Sequence, residues 1–182
     1  YSMVGRGEWY LKNCADADWN IYNALPRKFM VKKNWAKQLV TAAKRAGAKY
    51  INITTRHHDG FSLYDTRGLS DFDAPHSACG RDLIAELVDE CPKANILPFF
   101  YHTLIDWHEP TYKTDFAAYL DYLNKSIEIL CTHYGKVGGF WFDGFWDKPD
   151  CDYWQFDRLY GTIRKYQPTA MIINNTGLNA LG

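Results

Sequence analysis

The sequence predicts an α/β fold in which parallel strands alternate with crossover helices. Helical and strand patterns alternate four times along the 182 residues, an order typical of parallel sheets. The predicted strands end about 40 residues apart, and eight such units need roughly 320 residues, which suits a (β/α)₈ TIM-like barrel. A doubly wound open sheet fits this length better, but no glycine-rich phosphate loop follows any strand. We therefore expect an incomplete barrel of about four βα units.

Four helices are predicted from apolar residues that recur at helical spacing, over 34–46, 81–91, 114–133 and 152–166. Gly47 ends the first helix and Pro92 ends the second, because glycine favours a helix C-terminus and proline cannot continue a helix. Gly161 weakens the fourth helix, since glycine inside a helix costs about 1 kcal/mol relative to alanine.

Four strands are predicted after those helices, over 48–54, 95–101, 138–143 and 169–174. Each is a short apolar or aromatic run, as expected of strands buried in a parallel sheet. Pro98 is unfavourable within its strand because it lacks a backbone N–H. In parallel α/β folds ligands bind beyond the carboxyl ends of the strands, so functional residues are expected just after each strand.

Composition excludes several functional classes. The 21 Lys and Arg residues balance 21 Asp and Glu residues, which argues against a nucleic-acid surface and against an anionic membrane surface. No apolar run reaches about 18 residues, so no membrane-spanning helix is expected. The chain is rich in aromatic residues, with 7 Trp, 13 Tyr and 10 Phe. Aromatic rings form platforms for sugars and for bases, and without a basic excess sugar is favoured.

The cysteines and the first residues say little about function. Five cysteines occur without a C-x-x-C motif, at positions 14, 79, 91, 131 and 151, so we expect reduced, mostly buried thiols. Tyr1–Val4 lacks the charged and apolar regions of a signal peptide. Further upstream sequence is expected because position 1 is not Met, and a cytoplasmic location is favoured.

Asp143 is the strongest candidate for chemistry. It ends the apolar strand 138–143 and precedes Gly144, which lets the backbone turn. A carboxylate in this position can attack an anomeric carbon or stabilise an oxocarbenium-like transition state. The structural alternative is an aspartate that caps the next turn or helix.

His57, His58 and Asp59 follow the first strand. They suit contacts to sugar hydroxyls, because a neutral imidazole offers one donor and one acceptor. Metal ligation and a structural role are the alternatives. No metal is expected, because the two histidines lack the spacing of a helical zinc site and neighbours on a strand point to opposite faces.

Two further segments place aromatic rings beside carboxylates. Glu8 precedes Trp9 and Tyr10, and it is either a pocket carboxylate or a surface residue next to core aromatics. Trp107 stands in the sequence Asp106–Glu109, within a loop long enough to overhang a site. Its ring can stack on a sugar or pack the loop down.

Five segments occur in the order seen in one family: GEWY (7–10), AGAKYINITTRHHDGFSLYDT (46–66), FFYHTLIDWHEPTY (99–112), YGKVGGFWFDG (134–144) and IRKYQPTAMIINN (163–175). The chain resembles glycoside hydrolase family 29, the retaining α-L-fucosidases, over nearly its whole length. The motifs HHDGF and WFDG at this separation are the most specific part of the resemblance.

The resemblance implies a partial catalytic barrel domain over residues 1–182, with no second domain in the chain. It implies removal of terminal α-L-fucose from glycans by a covalent, retaining mechanism without metal or cofactor. Asp143 matches the catalytic nucleophile. Six residues match positions that line the fucose pocket: Glu8, Trp9, His57, His58, Tyr101 and Trp141. The loop 102–112, with Trp107, is similar to the branch that prefers α-1,3/1,4-linked fucose.

Two departures from the family pattern bear on the mechanism. The family opens with a strand whose histidine contacts fucose, upstream of residue 1, and its general acid/base is usually a downstream Glu. No Glu follows Asp143, and Thr176 stands where the family often has an Arg. Either the acid/base lies beyond Gly182, or Glu8 is the acid/base or a substrate contact.

Two other functions stay open. One is another retaining glycosidase, such as an α-galactosidase-like enzyme, and the other is a non-catalytic carbohydrate-binding fragment. The expected partner is a fucosylated oligosaccharide or glycoconjugate, without nucleic acid or membrane. Half a barrel leaves open strand edges and apolar faces, so we expect the segment alone to be insoluble or oligomeric.

Overall fold

The fold is a parallel four-stranded sheet flanked by helices. A computed structural model describes residues 8, 9 and 18–176. The strands follow one another in chain order across the sheet and every pair is parallel. They are β1 Tyr50–Arg56, β2 Leu97–Thr103, β3 Gly139–Asp143 and β4 Met171–Asn174. The predicted alternation of helices and parallel strands is confirmed.

The helices with described bounds are α1 Trp19–Asn23, α2 Trp35–Arg45, α3 Leu83–Glu90, α4 Thr111–Thr114, α5 Phe116–His133, α6 Cys151–Trp154 and α7 Phe156–Tyr166. The predicted helix 114–133 begins two residues late, because the Asp115 side chain accepts from the Ala118 N–H and caps α5. The predicted helix 152–166 is divided at Gln155, whose left-handed φ of 49° interrupts the helical path.

β1 and β2 continue two residues further than the sequence predicted. Arg56 and Thr103, expected in loops, are the last residues of these strands. Side chains alternate between the two faces of a strand. As strand residues, Arg56 and Thr103 are therefore assigned to a definite face of the sheet. Thr103 pairs with Asp143 of β3 and therefore shares its face of the sheet.

Pro98 lies inside β2 without breaking the sheet. The Leu97 N–H donates to the Lys49 carbonyl on the β1 side. The nitrogen of Pro98 therefore faces β3, and pairing with β3 begins only at Phe99. The N–H that Pro98 lacks would lie before the first paired residue of β2 and β3, a position where a strand tolerates proline.

The two faces of the sheet differ in cover. Phe100 and Phe140 are fully buried against apolar residues of α5 and α7. On the opposite face, Tyr50 is 59% exposed and Met171 is 57% exposed. We call this second face, which also carries Tyr101, Trp141 and Asp143, the open face. It corresponds to the interior of a closed barrel.

The carboxyl ends of all four strands meet at one edge of the sheet, because the strands are parallel. Three loops leave this edge, over 57–61, 104–110 and 144–150, and residues 175–176 follow β4. Every candidate residue after a strand therefore lies at the same rim.

Two smaller expectations concern thiols and membrane spans. Cys79, Cys91 and Cys131 are free thiols, as predicted. Cys14 and the side chain of Cys151 lie outside the described residues, as does Tyr10. In the part of the chain that the structure describes, no helix is both long and apolar enough to cross a membrane.

Candidate active site at the carboxyl edge of the sheet

Asp143 stands at the end of β3, and Gly144 turns the chain away with a φ of 107°. Its Oδ2 accepts a hydrogen bond from the Tyr101 hydroxyl at 2.8 Å, and its Oδ1 accepts from Asn175 Nδ2 at 3.1 Å. Both donors come from neighbouring strand ends, so the carboxylate is held across the edge of the sheet. The side chain remains 16% exposed, which leaves it within reach of a ligand.

Tyr101 is a fixed donor to this carboxylate. Burial, followed by the hydrogen bond to Asp143, raises the pKa of the Tyr101 hydroxyl well above its usual range. The hydroxyl therefore keeps its proton at neutral pH. The Tyr101 ring also packs edge-on against Trp141, with ring centroids 5.0 Å apart, and both rings lie on the open face.

His58 is buried between β2 and Asp143. Its Nδ1 lies 2.7 Å from Thr103 Oγ1, and its Nε2 lies 3.6 Å from Asp143 Oδ2. The imidazole therefore presents one nitrogen to the protein and the other to the site.

His57 is held by a carboxylate and an aromatic ring. Its Nδ1 lies 2.5 Å from Glu8 Oε1, and its ring stacks on Tyr101 at 5.3 Å with an angle of 8°. The hydrogen bond from His57 outweighs burial and lowers the pKa of Glu8 to about 2. Glu8 is therefore an ionised acceptor that orients His57.

The two histidines turn to the same side, and the sequence-based prediction was wrong here. Their ring centroids are 4.1 Å apart. The prediction assumed the alternation of a strand, but β1 ends at Arg56 and both residues follow it. Donor atoms of His57, His58 and Asp143 lie within 4.8 Å of one another. These three residues could hold a cation, so the expectation of a metal-free site depends on the family resemblance alone.

Asp59, considered with the histidines as a site residue, is used to hold the loop. It is 4% exposed. Its Oδ2 accepts from the Tyr22 hydroxyl at 2.6 Å and its Oδ1 accepts from the Phe61 N–H at 3.3 Å. Burial raises the pKa of this carboxyl. Asp59 thus fastens the loop after β1 to α1.

Three tryptophans surround His58 and form what we call the aromatic wall: Trp9, Trp107 and Trp146. Their ring centroids lie 5.7, 5.5 and 5.7 Å from that of His58. Trp9 is 40% exposed and Trp146 is 43% exposed. Large exposed rings beside buried polar groups are suited to the apolar face of a sugar. Trp146 was not predicted from the sequence.

The loop that carries Trp107 is fastened by a buried carboxylate, Asp106. Its Oδ1 accepts from the backbone N–H groups of His108 and Glu109, both at 2.9 Å. Its Oδ2 lies 3.6 Å from Arg56 Nε, and both side chains are almost fully buried. Arg56 also donates to the Tyr122 hydroxyl at 2.8 Å, which links the loop to α5.

The loops after β1 and β2 interlock. The Trp107 N–H donates to the His58 carbonyl at 2.8 Å. Gly60 has a φ of 84°, and a Cβ there would lie 2.4 Å from Asp106 Oδ1. Only glycine fits this close approach. Trp107 therefore both packs its loop down and contributes to the wall of the site.

Comparison with known proteins agrees with this geometry. A family model described as Alpha-L-fucosidase matches residues 1–181. The chain belongs to the alpha-L-fucosidase family. Alpha-L-fucosidase 1 of Arabidopsis thaliana is 30% identical over 167 residues, which cover 89% of this chain and 32% of that protein. Human tissue alpha-L-fucosidase is 30% identical over 133 residues, which cover 70% of this chain and 28% of that protein.

Solved fucosidases share the fold. Alpha-L-fucosidase isoenzyme 1 from Paenibacillus thiaminolyticus is 32% identical with a TM-score of 0.78, and the match covers 85% of this chain and 41% of that one. An alpha-L-fucosidase GH29 from Bacteroides thetaiotaomicron is 28% identical with a TM-score of 0.80, covering 90% and 39%. The predicted TIM-barrel class is confirmed. The chain spans about a third of the length of the curated fucosidases it matches.

Asp59 holds its loop and does not face the site. The structure brings together the other described residues that the sequence singled out, namely Glu8, Trp9, His57, His58, Tyr101, Trp107, Trp141 and Asp143. Three further residues beside Asp143 and His58 received no role from the sequence, namely Asn175, Thr103 and Trp146. Asn175 had a usable signal, since it follows a strand. Thr103 was predicted to lie in a loop, and Trp146 follows the WFDG motif. Neither position carried a sequence signal for the site.

Proposed function

We propose that this site removes terminal α-L-fucose from glycans by a retaining, two-step displacement. The observation that carries the proposal is Asp143, a carboxylate at the carboxyl edge that accepts from Tyr101 and Asn175 while part of it stays exposed. Membership of the alpha-L-fucosidase family supports the choice of sugar. A structure of one family neighbour is described as a complex with alpha-L-fucose product, which supports it further.

The chemistry follows from the place of Asp143. A carboxylate oxygen attacks the anomeric carbon and forms an ester bond, while the bond to the leaving oxygen breaks and that oxygen takes a proton from a general acid. Water then attacks the same carbon, gives up a proton to the conjugate base and releases Asp143. Two inversions leave the product with the configuration of the substrate.

The surroundings of Asp143 suit the charge changes of this reaction. The nucleophile must be ionised before attack, and donors that point at its oxygens stabilise that state. Tyr101 and Asn175 supply one donor to each oxygen. These bonds weaken as the carboxylate becomes an ester, and they recover when water releases it.

Glu8 is proposed as a residue that orients His57 and contacts substrate, and the general acid is another group. A general acid must hold a proton at the working pH. The pKa of Glu8 is lowered to about 2 by its hydrogen bond with His57, so the carboxyl is ionised at neutral pH.

The pocket has the mixture of surfaces that L-fucose requires. This sugar carries a methyl group where most hexoses carry CH₂OH, so its pocket needs an apolar wall as well as partners for three hydroxyls. The aromatic wall supplies the first, and the imidazoles of His57 and His58 supply donors and acceptors for the second. The preference for α-1,3/1,4 linkages stays a prediction from the loop 102–112.

The test is turnover of an aryl α-L-fucoside by the full chain and by Asp143→Ala. We expect the variant to lose at least about 1000-fold in kcat, since nothing replaces the nucleophile. Added azide, a small anion that fits the vacated space, should restore turnover and yield a fucosyl azide of inverted configuration. Asp121→Ala, at a carboxylate that is 57% exposed, is the matched control and should keep wild-type activity.

Three outcomes would contradict the proposal. Unchanged turnover in Asp143→Ala excludes this nucleophile. Faster hydrolysis of an aryl α-galactoside than of the fucoside by the wild-type chain indicates the α-galactosidase-like alternative. Fucose binding by calorimetry without any turnover indicates the non-catalytic binding alternative.

A further inference from the structure

The hydroxyl of Thr103 stands at the centre of a buried hydrogen-bond relay. Thr103 Oγ1 donates to the Ile105 carbonyl at 2.8 Å and accepts from the Ile105 N–H at 3.1 Å. The same oxygen lies 2.7 Å from His58 Nδ1. Thr103, Ile105 and His58 are all almost completely buried, so water does not compete for these bonds.

The count of protons in this relay fixes which of the two groups, His58 Nδ1 or the Thr103 hydroxyl, donates to the other. A hydroxyl has one proton to donate, and that of Thr103 is directed at the Ile105 carbonyl. His58 Nδ1 must therefore carry a proton and donate to Thr103. The other neutral tautomer would set two lone pairs against each other at 2.7 Å, or would leave the buried carbonyl without this donor.

We propose that Thr103 is a positioning residue that keeps a proton of His58 on Nδ1 and so turns Nε2 of the imidazole towards Asp143 and the site. The catalytic part of this inference rests on the proposed fucosidase function. The position of the proton does not depend on it.

The orientation of Nε2 has a consequence for substrate recognition. Nε2 lies 3.6 Å from Asp143 Oδ2, which is too far for a direct hydrogen bond. A sugar hydroxyl that approaches both groups bonds to His58 Nε2 and to Asp143 Oδ2, so the orientation of His58 favours a sugar that places a hydroxyl next to the nucleophile.

The same sheet contains a matched pair outside the site. Thr55 Oγ1 donates to the Tyr101 carbonyl at 2.9 Å and lies 2.8 Å from His102 Nδ1. Thr55 and His102 are fully buried, and the side chain of His102 takes the helix-covered face. Burial lowers the pKa of His102 well below its usual range, so this pair is a neutral, structural counterpart of Thr103 and His58.

The experiment compares Thr103→Val, Thr103→Ser and Thr55→Val with wild type in the full chain. Valine keeps the shape of threonine without the hydroxyl, and serine keeps the hydroxyl. Nitrogen NMR of ¹⁵N-histidine-labelled protein at about pH 8, where an ordinary histidine is neutral, reports which ring nitrogen of His58 carries the proton. Turnover of an aryl α-L-fucoside is measured on the same samples.

We expect the His58 proton on Nδ1 in wild type, in Thr103→Ser and in Thr55→Val. Thr103→Val should move it to Nε2 and lower kcat/KM by about 10- to 100-fold, as expected of a misplaced catalytic-site group. Thr103→Ser should recover activity to within a few-fold of wild type. Thr55→Val should lower the melting temperature without this loss of kcat/KM.

The results separate this inference from the proposed function. A wild-type proton on Nε2, or one that stays on Nδ1 in Thr103→Val, overturns the inference and leaves the fucosidase assignment untouched. Equal losses of kcat/KM in Thr55→Val and Thr103→Val overturn it too, because they indicate a general structural effect. Absence of fucoside turnover in wild type defeats the proposed function, and the NMR comparison then decides the proton position by itself.

Discussion

Asp143 and Asp106 stand at the same edge of the sheet and have opposite surroundings. Asp143 keeps 16% of its side chain exposed and is held by a hydroxyl and an amide from neighbouring strand ends. Asp106 is 2% exposed and is held by backbone N–H groups and by the guanidinium of Arg56. The Asp143 carboxylate is open to the site, and the Asp106 carboxylate is enclosed by the protein.

This difference shows how one sheet edge serves two purposes. A reactive carboxylate needs access and donors that a reaction can weaken. A structural carboxylate needs enclosure and partners that never leave. Burial raises the pKa of Asp106, while Arg56 and the loop N–H groups oppose that rise. Asp106 is thereby tied to its surroundings, and the loop it holds supplies Trp107 to the site.

The largest expected effect on stability is that of Asp106→Ala. The change leaves the Arg56 cation buried without its counter-charge, which costs about 3–5 kcal/mol in the free energy of unfolding. Urea denaturation followed by circular dichroism measures it. Asp143→Ala should change stability by no more than about 1 kcal/mol, and Asp121→Ala by even less, because exposed ion pairs contribute little. Similar losses in all three variants would contradict the division between the two carboxylates.

A smaller loss is expected for Gly60→Ala. The new Cβ would approach Asp106 Oδ1 to 2.4 Å at a φ of 84°, so both clash and backbone strain act, for about 2–3 kcal/mol. Gly68→Ala is the matched control, since Gly68 has a φ of 85° and nothing within 4 Å of its added Cβ. It should lose only about 1 kcal/mol. Equal melting temperatures in the two variants would show that the close contact is unimportant.

The smallest expected effect is the pH dependence caused by Glu8. Its pKa is lowered to about 2, so its contribution to stability is complete above the unfolded value of 4.5 and is lost as the pH falls towards 2. The stability difference between wild type and Glu8→Gln should therefore shrink by roughly 1–2 kcal/mol between about pH 5 and pH 2. Unfolding curves across this range measure the trend. In a His57→Gln background the trend should vanish, and its persistence would assign the shift to another cause.

Much of the fold could be predicted from the sequence because the signals are local. Short apolar or aromatic runs placed all four strands, and the parallel arrangement then placed their carboxyl ends together. The ends of β1 and β2 were placed two residues too early, since Arg56 and Thr103 look like loop residues. In the folded chain Arg56 donates to the Tyr122 hydroxyl and Thr103 contacts His58, and a local sequence pattern cannot reveal such distant partners.

The candidate site, like the fold, was predicted only in part. Asp143 was visible because a carboxylate after an apolar strand and before glycine is a local pattern. The shared side of His57 and His58 was missed, since it depends on where β1 ends. The role of Asp106 was missed as well, because it arises from contacts with Arg56 and Gly60, which precede it by some 50 residues and meet it only in the folded sheet.

The contact between Gly60 and Asp106 also limits how this scaffold can be recombined. The loops after β1 and β2 arise from separate βα units, yet they are joined by the Trp107–His58 hydrogen bond and by the close approach of Gly60 to Asp106. A chimera whose crossover falls between these units would join a foreign first loop to a resident second one, and the two would collide or leave a gap. Crossovers placed between α5 and β3 keep the pair intact. Directed evolution by recombination therefore has to exchange the βα units of β1 and β2 together.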